Sequence, residues 1–405
     1  MAHGKAFPFG YEIHDFDNGL RLVAVPLPWR GTASVYIVVH VGSRNEVDPG
    51  RSGFAHFFEH MMFRGTRHWP PERYEAALQR MGAASNAYTD DDRTVYHTTL
   101  AAADLEHLLA MEADRFLHLE YSEEDFRTEA LAVLGEYWKD SAEPLNRLHE
   151  VLRGAAFDVH PYKHTTMGFL ADIERMPEMY DYSLSFFDRF YRPENTTMLI
   201  AGDIAPAEAR LLVEKYWGSW QRGQHRLEVP QEPPQQSSRE ARIEWKTHTL
   251  PYVAVAHRAP AYDDSSTECA ALDLISALCF SQGSDLYRRL VIEEQWAEEI
   301  WANQVDHLDP YLFTVVARVK RPDRTAAVRR AIEDELARLA KNPPGQERLE
   351  QVQSHLFYRF VLGLNRSDAV AAQLAPFLAL RRTPETVNRL FETYRRVTPA
   401  DLAAA

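Results

Sequence analysis

The sequence predicts an α+β protein of two homologous α/β domains, each a mainly antiparallel sheet packed by helices, related by internal duplication. At 405 residues the chain is too long for one ordinary core. The order strand, helix, helix, strand, strand, helix over residues 34–117 recurs from Tyr252 onward. Between the two runs lies a segment containing VPQEPPQQSSRE, poor in apolar residues and rich in Pro, Gln and Ser, as an extended linker is. The expected division is therefore 1–222, a linker over 223–240, and 241–405.

Leu20–Val25 and Ser34–Val41, rich in Val, Leu, Ile and Tyr, read as strands. SGFAHFFEHMMFRG, residues 52–65, has no proline and no β-branched run, so it reads as a short helix with Ser52 as N-cap and Gly65 as stop. Pro70-Pro71-Glu72 starts a second helix that reaches Met81. Strands Ala84–Thr89 and Thr94–Thr99 follow, joined by the turn Asp90-Asp91-Asp92. Helical spacing marks Ala102–Leu117 and Glu123–Ser141, the latter with Phe126, Ala130, Val133, Leu134 and Tyr137 on one side. Helices Leu145–Ala156 and Tyr180–Phe190, strand Thr196–Ala201 and helix Pro206–Trp220 complete the first unit. The second unit brings strand Tyr252–His257, helices Cys269–Phe280 and Asp285–Glu293, strands Ala297–Asp306 and Tyr311–Val319, and helices from Arg324. No counterpart of strand Thr196–Ala201 follows, so either a last strand is missing or the second domain is smaller.

Composition narrows the function. A formal charge of −14 argues against a nucleic-acid or anionic-membrane partner. No apolar run approaches the roughly 18 residues of a membrane span. The opening MAHGKAFPFGYEI has no apolar core of a signal peptide. The two cysteines, Cys269 and Cys279, lie ten residues apart on one helix, about 15 Å and too far for a disulfide. The expectation is a cytoplasmic protein, or a periplasmic one if an export signal has been removed.

The 52–65 helix carries the chemistry. At about 100° per residue, His56, Glu59 and His60 fall within roughly one quadrant. Two imidazoles one turn apart grip a metal ion, and the carboxylate between them points at the same ion. H-x-x-E-H is the inverted form of the zincin motif H-E-x-x-H, and Glu59 is placed to take a proton from a metal-bound water. A third protein ligand must come from elsewhere. The long helix offers Glu123, Glu124, Glu129, Glu136 and Asp140. Glu129 and Glu136, seven apart, share a face beside the apolar stripe, where carboxylates are not expected without a use. Spacing leaves open which of the two binds metal.

With these residues in view, the chain resembles the zinc endopeptidase family of pitrilysin, insulin-degrading enzyme and mitochondrial processing peptidase. The resemblance runs through DNGLRL, the H-x-x-E-H helix, ASNAYTDDDRTVYH, the E-x6-E pair, HPYKHTTMG from His160 and RPENTTMLIAGDI. It implies that Glu136 is the third zinc ligand and that Glu129 supports the site through His60 or His56. It also implies that Asn86, Ala87 and Tyr88 lie on an edge strand that pairs with the backbone of an unfolded peptide. His40, His97 and His160 are read as structural.

One departure stands out. Self-sufficient relatives carry an Arg and a Tyr, seven apart, that hold the substrate carbonyl. Aligned on Ser284-Asp285-Leu286-Tyr287-Arg288-Arg289-Leu290, those positions are Val291 and Glu298, and the family's Gly is Gln295. The resemblance then implies the zinc-bearing member of a heterodimer, whose related non-zinc subunit carries the Arg/Tyr pair. A self-sufficient homodimer and a non-catalytic assembly subunit are the alternatives, the latter opposed by the intact motif and Glu136.

Overall fold

The computed structural model describes residues 4–224 and 227–405. Met1, Ala2 and His3 of the opening segment and His225 and Arg226 of the linker lie outside the described residues. The first half runs β1 (Glu12–Asp15), β2 (Arg21–Pro26), β3 (Thr32–Val39), α1 (Phe54–Met61), α2 (Pro71–Met81), β4 (Ala84–Thr89) and β5 (Thr94–Ala101). It continues with α3 (Leu105–Leu117), α4 (Glu123–Ser141), α5 (Pro144–Ala156), α6 (Leu170–Arg175), α7 (Tyr180–Phe190), β6 (Thr196–Gly202) and α8 (Pro206–Trp217). The second half runs β7 (Tyr252–Ala259), α9 (Thr267–Phe280), α10 (Asp285–Tyr287), β8 (Ala297–Gln304) and β9 (Tyr311–Val319). Five helices close it: α11 (Thr325–Lys341), α12 (Gln346–Gly363), α13 (Ser367–Arg381), α14 (Glu385–Arg396) and α15 (Pro399–Ala404).

The strands form two sheets, ordered β1-β2-β6-β3-β5-β4 and β7-β9-β8. All pairs are antiparallel except β2 with β6. The block β3-β5-β4 is matched by β7-β9-β8, with α1 and α9 at the same point in the chain order, which is the duplication in structural form. Among the described residues the second sheet has no counterpart of β6. The duplicated helix α9, TECAALDLISALCF, carries no histidine.

β3 reads TASVYIVV and is buried from its second residue onward, because both faces of its sheet are covered. On one face Val35, Ile37 and Val39 share a core with Phe57 and Phe58 of α1, Phe116 of α3 and Phe126 of α4. On the other, Tyr36 and Val38 belong to a core that includes Val370, Leu374 and Leu378 of α13, so the second half supplies the cover.

Several local expectations shift. β1 is short and polar, EIHD, and forms by pairing with β2 rather than by any apolar pattern of its own. The six-residue α6 has no readable period. The helix expected over Asp285–Glu293 is α-helical only to Tyr287 and continues as a π-helix over Arg288–Glu293. Ser52 does not cap α1. Its Oγ donates to Asp172 Oδ2 (2.6 Å) and accepts from the Phe169 N–H (2.8 Å). The cap residue is Gly53, at φ 90°, where a Cβ would lie 2.3 Å from Ile173 Cδ1. The segment over 223–240 has no helix or strand among its described residues, yet it docks. Glu232 accepts from the N–H groups of Asp158, Val159 and His160, and Arg239 pairs with Asp158 at 2.6 Å.

The halves are also joined by buried charge. In the β4–β5 turn, Asp91 accepts from Ser43 Oγ (2.7 Å), Arg153 Nη2 (2.5 Å) and His307 Nε2 (2.9 Å). Asp92 accepts from Tyr162 Oη (2.7 Å) and the Leu308 N–H (2.9 Å). Burial alone would raise the Asp91 carboxyl, but Arg153 and His307 beside it hold it well below the usual carboxylate range. Asp91→Ala leaves the buried Arg153 guanidinium without its partner and should cost about 3–5 kcal/mol in urea unfolding. Because the folded-state carboxyl is depressed, its contribution is whole above the unfolded pKa of about 3.9 and lost as pH falls. The gap between wild type and variant should therefore narrow below about pH 4.

Candidate metal centre

α1 has eight residues and two opposite faces. Phe54, Ala55, Phe57, Phe58 and Met61 are buried, while His56, Glu59 and His60 are left on the open side. Phe58 stacks on Phe186 of α7 (centroids 5.3 Å apart) and Phe57 meets the edge of Phe126 on α4 (5.0 Å). This packing fixes the rotation of the helix about its axis, and so the direction of the three polar groups. Tyr96 Oη donates to the Phe58 carbonyl at 3.1 Å and ties α1 down onto β5.

α4 supplies the rest. Ser122 caps it, accepting from the Asp125 N–H at 3.1 Å while Asp125 accepts from the Ser122 N–H, and the helix then packs against α1. Its two glutamates have different surroundings. Glu129 is 5% exposed and touches the far side of His60, Oε1 to Nδ1 at 2.8 Å. The Glu136 side chain is 49% exposed, and its Oε2 lies 3.5 Å from His56 Nε2 and 3.4 Å from His60 Nε2. Donor atoms of His56, His60 and Glu136 all fall within 4.8 Å of one another. Spacing alone left Glu129 and Glu136 level; position now separates them, since only Glu136 faces both Nε2 atoms.

The separations fit a small tetrahedral cation. Ligand bonds of about 2.0–2.2 Å in tetrahedral geometry place donor atoms roughly 3.4 Å apart. Protonation suits it as well. Burial, with the nearby His60, lowers His56 to about 4, so it is neutral at pH 7 with a lone pair to give. A carboxylate at His60 Nδ1 draws the proton there and leaves Nε2 free to bind. The bond to Glu129 raises His60, and burial opposes it. Burial would raise Glu129, but His60 and Arg64 outweigh it and hold it lowered.

Glu59 sits beside this cluster. Burial raises its carboxyl, while Thr89 Oγ1 donates to Oε2 at 2.7 Å and works against that rise. Thr89 ends β4, which is the outermost strand of its sheet and, among the described residues, pairs with β5 alone. Asn86 is exposed, Ala87 is buried and Tyr88 half-buried. The Ala87 N–H is held by Asn86 Oδ1 at 2.9 Å. His40, His97 and His160 are not among the groups brought together here. His160 instead bonds Asp309 Oδ2 at 3.0 Å, in the junction between the halves.

Three contributing residues were not singled out in the sequence. Arg64 forks onto Glu129 Oε2 through Nε (2.5 Å) and Nη2. It stands four residues after His60, a helical spacing that could have revealed it. Thr89 and Glu46 approach through the fold and leave no local signal. At the departure site, Gln295 has φ 52°, a left-handed conformation that favours Gly. Val291 packs against the second-half core and Glu298 pairs with Arg318 at 2.8 Å.

Comparison with known proteins defines the class. The family profiles described as insulinase (peptidase family M16) and peptidase M16 inactive domain match residues 23–169 and 180–356. The chain belongs to the M16 peptidase family. It is similar to zinc protease PqqE of Helicobacter pylori, 28% identical across 93% of this chain and 85% of that protein. It is likewise 28% identical to a fission-yeast (Schizosaccharomyces pombe) protein described as a beta subunit of mitochondrial-processing peptidase, over 51% of this chain and 45% of that one. The crystal structure of a protease from Helicobacter pylori superposes with a TM-score of 0.91 at 27% identity, covering 98% of this chain and 95% of that one.

The contrast between the two glutamates is testable. In divalent-metal titrations Glu136→Gln should weaken binding far more than Glu129→Gln, whose loss should be about 10–100-fold. The reverse order would assign the direct contact to Glu129.

Proposed function

We propose that this chain is a zinc-dependent peptidase subunit that hydrolyses unfolded peptides, with His56, His60 and Glu136 as zinc ligands and Glu59 as general base. The observation that carries the reading is the convergence of His56 Nε2, His60 Nε2 and Glu136 Oε2, with Glu59 one residue before His60 on the same helix face. Family membership and the zinc proteases among its relatives support it.

Bound zinc supplies Lewis acidity toward water and the scissile carbonyl. Glu59 takes the proton of the attacking water and returns it to the leaving amine. Thr89 holds one Glu59 oxygen and leaves the other for the proton. Glu129, itself held by Arg64, fixes the ring of His60. The peptide lies as an added strand along the free edge of β4 beside Asn86, Ala87 and Tyr88, where main-chain pairing recognises extension more than sequence. Asn86 gives up its bond to the Ala87 N–H as the peptide takes that donor.

Stabilising the carbonyl as it gains negative charge needs donors that Val291 and Glu298 do not provide. Losing one such donor costs about 10²–10³ in rate. We therefore place this chain in a pair whose related partner contributes the Arg and Tyr. The purified chain should carry close to one zinc, cleave unfolded peptides very slowly alone, and gain at least about 10²-fold on addition of such a partner. Glu59→Gln should keep the zinc and abolish cleavage. Robust turnover by the lone chain, lost in Glu59→Gln, would contradict the paired site and leave a homodimer. Loss of zinc in Glu59→Gln as complete as in His60→Ala would overturn the roles assigned here.

A further inference from the structure

We infer that Glu46 is a positioning residue for the metal centre: its two side-chain oxygens seat the first turn of α1, and so set where His56 and His60 stand relative to Glu136. The inference rests on the metal site proposed above.

An eight-residue helix has little stability of its own, since isolated helices below about 12–15 residues are marginal in water. Its first N–H groups need partners. The cap residue Gly53 has no side chain to offer, and Ser52 is committed to Asp172 and Phe169. The partner comes from outside the helix. Glu46 Oε2 accepts from the Gly53 N–H at 2.6 Å, and Oε1 from the Ala55 N–H at 2.7 Å. Ala55 directly precedes His56. The Glu46 side chain has no solvent exposure; burial pushes its carboxyl up to about 8, and the two N–H groups work against that rise. The nearest basic side chain is His164, with Nε2 at 3.7 Å, and burial lowers it to about 4, so it is neutral at pH 7. The His164 ring is oriented by its Nδ1–H bond to the Thr165 carbonyl (2.9 Å), and Nε2 itself is buried without a hydrogen bond.

The same segment reaches the other side of the site. Ser43 Oγ donates to Asp91 Oδ1 at 2.7 Å, and the Arg44 N–H to the Asp91 carbonyl at 2.8 Å. Asp91 belongs to the turn between β4 and β5, and β4 ends on Thr89, the residue that holds Glu59. Residues 43–46 thus fix the start of the ligand-bearing helix and the end of the strand that bonds the base. Metal and catalytic groups work only when held within about 0.5 Å of productive geometry. A side chain whose two oxygens accept N–H bonds from the first turn is suited to that task. Glu46→Gln keeps the shape but turns an amide donor toward one of those N–H groups.

The test is cobalt(II) titration of the whole chain, followed by its visible absorption, with thermal unfolding alongside. Wild type should bind and His60→Ala should not. Glu46→Gln should bind about 10–100-fold more weakly, with an altered band shape. Ser52→Ala removes the neighbouring anchor of the same turn without touching the α1 N–H groups. It should lower the unfolding temperature and leave both metal readouts at wild-type values. Glu46→Asp keeps the carboxyl group but is one methylene shorter, reaches one N–H, and should fall between. If Glu46→Gln does not fold, the same comparison is read on Glu46→Asp. Wild-type affinity and spectrum in the folded Glu46 variant, with only a thermal loss, would overturn the inference and leave Glu46 a purely structural residue. Failure of wild type to bind, or equal binding by His60→Ala, would overturn the metal site itself, and the positioning role with it.

Discussion

The short helix α1 must satisfy opposite demands on its two sides, and much of the first half is arranged to meet them. One side buries three phenylalanines and a methionine; the other keeps two imidazoles and a carboxylate in reach of one another. Full burial of each large apolar side chain is worth about 1.5–3 kcal/mol, enough to hold an eight-residue helix that propensity alone would not. The sheet provides a floor through Tyr96, α7 a wall through Phe186, and α4 a second wall through Phe126. α4 also carries the two glutamates. Packing and chemistry are therefore set by the same helix pair.

Among the described residues the second half contributes support to the His56, His60 and Glu136 cluster and none of its members. α13 covers the face of the first sheet that α1 leaves open, and His307 with the Leu308 N–H binds the β4–β5 turn. That turn closes the strand whose Thr89 holds Glu59. The duplicated helix α9 keeps the place of α1 without its histidines, so among the described residues the His/His/Glu cluster belongs to the first copy.

Much of this was legible in the sequence because strong local signals coincided with the real elements. Residues 84–89, 123–141, 180–190 and 311–319 end where their patterns end. The histidine spacing in α1 was readable because a helix turns by a fixed angle per residue. Choosing between Glu129 and Glu136 was not, since both lie on one face of α4 and only their placement against the two imidazoles separates them. Ser52 misled for a similar reason. Its type and position suit a cap, but a tertiary partner, Asp172, takes its hydroxyl, while Glu46 reaches across from seven residues away to do the capping. β1 and α6 are too short and irregular to announce themselves; pairing and packing create them.

The central claim, that two imidazoles from α1 and one carboxylate from α4 hold a single zinc ion, is tested most directly by zinc K-edge X-ray absorption on the purified chain. The account predicts only nitrogen and oxygen scatterers at about 2.0–2.2 Å, with the histidine signal lost when His56 and His60 are both replaced. A sulfur scatterer at about 2.3 Å, or an unchanged spectrum in the double variant, would contradict it.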